Sequence, residues 1–203
     1  MKVICLTGGL ASGKSTAVKH LATKGAVVID ADILGHQAYN PGTAAFDEVI
    51  TSFGEEVRGG DGQIDRKALG GKVFGKPEAL RKLTDIVWPE IRRLAELELA
   101  AIADSNSEAI VVLEAAVLFE AGWEDIGEEI WVLTVDRETA IERSMARDKA
   151  PRDAVERRLD SQLSNEVRTS RADVVITNDD SVAGMLAQID SAYAESTESS
   201  GAG

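Results

Sequence analysis

Cysteine is almost absent: Cys5 is the only one in 203 residues. A single thiol excludes a disulfide framework and a cysteine-built zinc centre, and it fits a reducing compartment. Long apolar runs are missing too, and no stretch approaches the roughly 20 residues of a membrane span. The first strand is expected to begin at Lys2, which leaves no room for a signal peptide, so the cytosol is the expected compartment. Positive charge is scarce. With 22 Lys and Arg against 35 Asp and Glu the formal charge is −13. That balance argues against a general affinity for nucleic acid or an anionic membrane surface. No internal repeat is present. "DILG" at 32–35 matches the D-x-x-G of GTPases, but no N-K-x-D guanine reader occurs anywhere, which argues against a GTPase switch.

What the chain does have starts at its first apolar run. Val3-Ile4-Cys5-Leu6 stops at Thr7, and Gly8, four residues, Gly13, Lys14 and Ser15 follow. Behind them Ala17, Val18, Leu21 and Ala22 recur at helical spacing until Lys24-Gly25, a plausible helix end. Strand, glycine-rich turn and helix together form the context in which G-x-x-x-x-G-K-[ST] carries meaning. Gly8 and Gly13 let the backbone turn its N–H groups inward with no Cβ in the way. Those groups and the helix N-terminus suit phosphate oxygens. Lys14 can reach the β- and γ-phosphates, the Ser15 hydroxyl can ligate Mg²⁺, and Thr16 can donate to the α-phosphate. The lysine tip is expected to be solvated when no nucleotide is bound. The loop holds a nucleoside triphosphate.

Hydrophobic residues make up 44% of the chain, enough for a globular α/β protein with a sizeable core. Strands are expected at 3–7, 26–30, 109–113, 130–135 and 173–177. Helical patterns between them argue a parallel sheet covered on both faces. About eighty residues separate strands two and three, far more than a crossover requires. They hold helical patterns at 33–39, 44–53, 66–74 and 78–103, with the turn "GGDG" at 59–62. Pro89 is expected to end or kink the last of these after Trp88. The expected organisation is a core of 1–32, 105–136 and 172–195, a helical insertion at 33–104 and a lid at 137–171. The tail "ESTESSGAG" is too small and polar to pack, so 196–203 is expected to be disordered.

Charge is distributed unevenly. Between Asp136 and Arg171 nine Arg and Lys face eight Asp and Glu, so the rest of the chain carries −14. A protein that handles phosphates should gather its basic residues near them. Arg143 and Arg147 are four apart and share a helix face. With Arg152 they could close on the phosphates, or they could form a solvated face partnered by Glu142 and Asp148. Asp30 and Asp32 end the second strand and, in an extended chain, point to one side. Asp32 can meet a hydroxyl facing the γ-phosphate, cap the helix that follows, or do both. Glu114 follows the third strand, where P-loop proteins often carry an acid near the metal.

Taken together, "LTGGLASGKST", "VIDADILGHQAY", "IDRKALGGKVF", "TDIVWPEI", "EAAVLFEAGW" and "RLDSQLS…RADVVITND" resemble dephospho-CoA kinase, in order and from Met1 to about Tyr193. Within that family the Trp88-Pro89 pair and "AAVLFEAGW" are most similar to the kinase domain of animal bifunctional CoA synthase. The resemblance implies a P-loop NTPase fold of the nucleoside-monophosphate-kinase type, with a five-stranded parallel sheet. It implies ATP-dependent phosphorylation of the 3′-hydroxyl of dephospho-CoA, with ATP and Mg²⁺ as co-substrate and metal. Gly8 and Ala11, Ser12, Gly13, Lys14, Ser15 and Thr16 then form the ATP loop, joined by Arg143 and Arg147, with Ser15 on the metal. Lys14, Asp32 and Arg147 are the expected catalytic residues. Thr7, Asp32, His36, Tyr39 and Arg66 are expected on the dephospho-CoA side. Two positions depart from the family pattern: Glu114 stands where Asp is common, and Ala115-Ala116 replace a proline-bearing stretch. A monomer without nucleic-acid or membrane partners is expected. Two alternatives stay open on the residues alone: a nucleoside or nucleotide kinase of the same fold, and a catalytically silent ATP-binding module.

Overall fold

The computed structural model of the chain describes residues 1–200. They fall into two compact units, Met1–Ile29 with Ile102 onward, and Asp30–Ala101.

The first unit is built on a five-stranded sheet in the order β2-β3-β1-β4-β5. Its strands are β1 Lys2–Gly8, β2 Val27–Asp30, β3 Ile110–Glu114, β4 Glu129–Thr134 and β5 Val174–Thr177. β1 pairs in parallel with both β3 and β4, and β4 in parallel with β5. Near-continuous apolar runs such as "VICL" and "IVVL" suit strands buried on both faces. On one face Ile4, Leu6, Trp131, Leu133 and Ile176 meet Ala17, Val18 and Leu21 of α1 (Lys14–Thr23). Met185, Ile189 and Ala192 of α9 (Val182–Ser200) complete that core. Cys5 is fully buried, and burial pushes its thiol up to about 12, so it stays a protonated packing group. The central strand β1 runs straight into the glycine-rich loop, at the carboxyl edge where such sheets bind ligands.

Three helices follow β4: α6 (Arg137–Asp148), α7 (Arg152–Asp160) and α8 (Asn165–Thr169). Asp136 starts α6 by accepting the Glu138 and Thr139 N–H groups at 2.9 and 3.1 Å. Ile141 and Val155 close with Leu10 into a small apolar cluster, flanked by Ala150 and Leu159.

The tail departs from its expected disorder. α9 runs to Ser200, and its buried stripe of Met185, Ile189 and Ala192 continues to Ser196. Ser196 donates its hydroxyl to Glu129 at 2.6 Å and receives Lys2 Nζ on its carbonyl at 3.1 Å. Small polar residues could join the helix because these bonds reward burial where side-chain volume does not. Residues 201–203 lie outside the described residues.

The second unit is helical: α2 (Ala31–Gln37), α3 (Ala44–Phe53), α4 (Arg66–Val73) and most of α5 (Pro77–Ser105). The "GGDG" stretch makes a turn, with Gly62 N–H bonded to Gly59 O at 3.0 Å and an antiparallel bridge between Arg58 and Ile64. Asp65 then caps α4 by accepting the Lys67 and Ala68 N–H groups. Pro89 does not end α5, contrary to one of the two sequence expectations. Its missing N–H costs roughly 3 kcal/mol. Burial of Ile86, Val87, Ile91, Ala95 and Leu99 on both sides of it, at about 1.5–3 kcal/mol for each large side chain, outweighs that.

Candidate active site

The phosphate loop begins where β1 leaves the sheet. Ala11 and Gly13 both take positive φ, 57° and 100°, and between them the backbone bends back on itself. Ser12 N–H bonds to Gly9 O at 3.3 Å, and the Thr16 and Ala17 N–H groups both bond to Gly13 O at 3.0 Å. α1 has no side-chain cap at its N-terminus, so the first turn keeps N–H groups for a ligand. The hydroxyls of Thr7 and Ser12 are buried and lack a hydrogen-bond partner, an arrangement that costs about 1–3 kcal/mol for each group. Ser15 and Thr16 are exposed on the first turn. Lys14 differs from the solvated tip expected: it is half-buried, and its Nζ donates to Gly8 O at 2.9 Å. The Gly9 carbonyl also lies 3.5 Å from that ammonium.

Side chains far along the chain brace this loop; Gln162 and Asn178 lie in segments that carry the family resemblance, but the sequence assigned no role to them or to Arg168. Asn178, just beyond β5, donates Nδ2 to Ser12 O at 3.0 Å. Gln162 accepts the Leu10 N–H at 3.0 Å. Arg168 lies 2% exposed behind Gly9. Gly13 has no room to change. A methyl there would stand 2.6 Å from Asn178 Nδ2 and 2.9 Å from Met185 Sδ, on a backbone that L-residues avoid. Gly13→Ala is therefore expected to lose about 1–3 kcal/mol of stability, read as a lowered melting temperature. An unchanged melting curve would mean that the loop follows another path.

The lid arginines do not converge. Arg143 donates to Asn178 O at 2.8 Å and so supports the brace of the loop. Arg147 is exposed and forks onto Asp148 at 2.7 and 3.0 Å, the partner that the solvated-face reading named. Arg147 and Arg158 together hold the Asp148 carboxyl down at about 2. Arg152 bonds Glu138 through both terminal nitrogens and Glu156 through Nε.

Asp32 is not the cap of its helix. α2 starts at Ala31, and Asp30 Oδ1 accepts the Asp32 and Ile33 N–H groups at 2.8 and 3.2 Å. The two aspartates therefore do not share one side of an extended strand; one caps and the other sits exposed on the first helical turn. Within the same unit His36, Tyr39 and Arg66 come together. They line one cavity of about 400 Å³ with Asn40, Gln63, Asp65 and Lys67. Capping by Asp65 and the turn at 59–62 set the position of that wall.

The family profile of dephospho-CoA kinase matches residues 2–184. The chain belongs to the dephospho-CoA kinase family. It is 48% identical over 178 residues to the dephospho-CoA kinase of Geobacter sulfurreducens, covering 88% of this chain and 90% of that one. Against the enzyme of Moorella thermoacetica the identity is 38% over 195 residues, covering 96% and 92%. Among solved structures, TT1252 from Thermus thermophilus superposes with a TM-score of 0.81 at 33% identity, covering 96% of this chain and 97% of that one. The dephospho-CoA kinase from Campylobacter jejuni does so at 0.64 and 25%, covering 96% of each. The P-loop kinase fold expected from sequence is the fold observed.

A divalent cation that arrives with a nucleoside triphosphate needs one or two protein oxygens, the rest coming from phosphate and water. Among the described residues no group of three or more His, Cys, Asp or Glu could hold a metal alone. Mg²⁺ prefers the shared kind of site. The exposed Ser15 hydroxyl offers one oxygen. Glu114 ends β3 in register with Leu6 of β1, two residues before the loop begins.

Proposed function

We propose that this chain transfers the γ-phosphoryl group of ATP to the ribose 3′-hydroxyl of dephospho-CoA, giving CoA and ADP, the last step of CoA synthesis. One observation carries the reading. An intact phosphate loop opens from the central strand of a chain that matches the dephospho-CoA kinase family over residues 2–184.

Transfer needs the γ-phosphate positioned and its charge met, with a partner for the acceptor proton. Lys14 moves its ammonium from Gly8 O to the β- and γ-phosphates. The N–H groups of the loop and of the first turn of α1 hold the remaining phosphate oxygens. Ser15 is the residue that would ligate Mg²⁺, which when bound spreads the charge of the β- and γ-phosphates. Asp32, released from capping by Asp30, orients the 3′-hydroxyl and takes its proton as the oxygen bonds to phosphorus. His36, Tyr39 and Arg66 line the dephospho-CoA side. No described helix is long and apolar enough to cross a membrane, and we place the reaction in the cytosol, carried out by a monomer.

An ADP-release assay with dephospho-CoA, adenosine and AMP as competing acceptors tests the reading. Turnover with dephospho-CoA alone is expected; equal turnover with adenosine or AMP would leave a general nucleotide kinase, and no turnover a silent ATP-binding module. Arg147 supplies a second test. To serve a transferring phosphoryl group it must exchange Asp148 for phosphate, so Arg147→Ala should lower kcat about tenfold and leave the KM for dephospho-CoA unchanged. Residues 137–171 should exchange amide hydrogens faster without ATP than with it, since a lid opens for exchange and closes to exclude water. Equal protection in both states counts against a lid.

A further inference from the structure

Arg168 is the most buried charged residue in the first unit, and nothing in the mechanism above uses it. Its side chain is 2% exposed, and it donates Nη1 to the Leu163 carbonyl. Nε and Nη2 have no hydrogen-bond partner. Burial pushes the guanidinium pKa down, against the pull of the Glu120 carboxylate, and among the described residues no ion pair closes on it. An arginine held this way is expensive in the free protein. Its place gives the reason. A methyl added to Gly9 would stand 3.2 Å from Arg168 Nη1 and 3.8 Å from Gln162 Oε1. Gln162 in turn accepts the Leu10 N–H, and the Leu10 side chain is locked between Ile141 and Val155. The outer half of the phosphate loop thus rests on one cation, one amide and one apolar anchor, all from the α6–α8 segment. Arg168 and Gln162, with Gly9 and Leu10 of the loop, also line a cavity of about 340 Å³.

We propose that Arg168 is a positioning residue of the phosphate site, fixing the Gly9–Leu10 half of the loop from behind and keeping an uncompensated positive charge for the polyphosphate that the loop receives. The inference rests on the loop receiving ATP. The charge acts through the Gly9 backbone, so it needs no direct contact with the nucleotide. Low local polarity strengthens it, as few dipoles screen it.

A residue that merely packs and one that stores charge for a ligand respond oppositely to neutralisation. Arg168→Met and Arg168→Gln remove the charge, and Gln can still donate to Leu163 O. Arg168→Lys keeps the charge. Binding of ATP, and of inorganic tripolyphosphate as a probe without a base, is measured by calorimetry, with melting temperatures taken on ligand-free protein. The neutral variants are expected to bind both anions about tenfold more weakly, with ligand-free melting temperatures equal to or above wild type. The lysine variant should recover most of the affinity. Wild-type affinity in either neutral variant overturns the inference, and so does a ligand-free melting temperature lowered by more than a few degrees in both, which would make Arg168 structural. If the methionine variant does not fold, the glutamine variant decides alone, and failure of both to fold likewise makes Arg168 structural. Wild type that fails to bind ATP sinks the reading of the loop, and the inference with it.

Discussion

Lys14→Ala is expected to lower phosphoryl transfer by about 10³-fold, the scale of removing one preorganised charge from a developing oxyanion. The fold should survive. Lys14 Nζ makes its 2.9 Å bond to Gly8 O in the free protein, yet the loop is shaped by bonds that do not involve it. Ser12 N–H still meets Gly9 O, the Thr16 and Ala17 N–H groups still meet Gly13 O, and Asn178 still holds Ser12 O. The alanine variant should therefore melt within a few degrees of wild type. Steady-state CoA formation at saturating ATP and a melting curve on the same sample check both halves. Near wild-type turnover would remove the loop from the chemistry altogether.

Asp32→Asn is expected to cut CoA formation at least a hundredfold, within the range of roughly 10² to 10⁴ that a general base contributes. The amide cannot take the hydroxyl proton at neutral pH, though it fills the same space. The structure sharpens this experiment. Asp30 is the cap of α2, accepting two backbone N–H groups, so asparagine at 32 costs no capping bond. The only stability lost is the attraction of a carboxylate to a helix N-terminus, about 0.3–1 kcal/mol. ATP affinity should not change. A variant that turns over normally would falsify the role assigned to Asp32, and Glu114 would be the next acid to test.

Much of this was legible in the residues because the signals were local. The pattern Gly8 to Ser15 fixes its own backbone, and α3 spans Ala44–Phe53 as its periodicity predicts. All five strands lie within a residue or two of the positions read from apolar runs. The bracing of the loop was not legible, although Gln162 and Asn178 lie in "RLDSQLS" and "RADVVITND". Asn178, Gln162 and Arg168 lie more than 145 residues from the loop residues they hold. A lone polar residue at such a distance has no spacing to betray it. The signal that could have found Arg168 is indirect: a basic residue in a segment rich in paired charges, left without a neighbour of opposite sign one helical turn away. Asp32 was ambiguous because two aspartates precede one helix and only a hydrogen bond tells which of them caps it. The polar tail misled for a related reason, since Ser196 is buried by what it bonds and not by what it is.

The position of β1 has a consequence for how the protein is made. Its phosphate loop precedes both of its sheet neighbours in the chain, yet the strand that presents it lies in the middle of the sheet, between β3 and β4. Lys2 pairs with Ile110 and Gly8 with Leu133. Until β4 has left the ribosome the strand has no neighbour on that side, and Asn178 reaches Ser12 only later still. The phosphate loop is therefore synthesised before the segments that give it its shape. During translation β1 waits with both edges unpaired, the state in which chaperone binding and misassociation compete with folding.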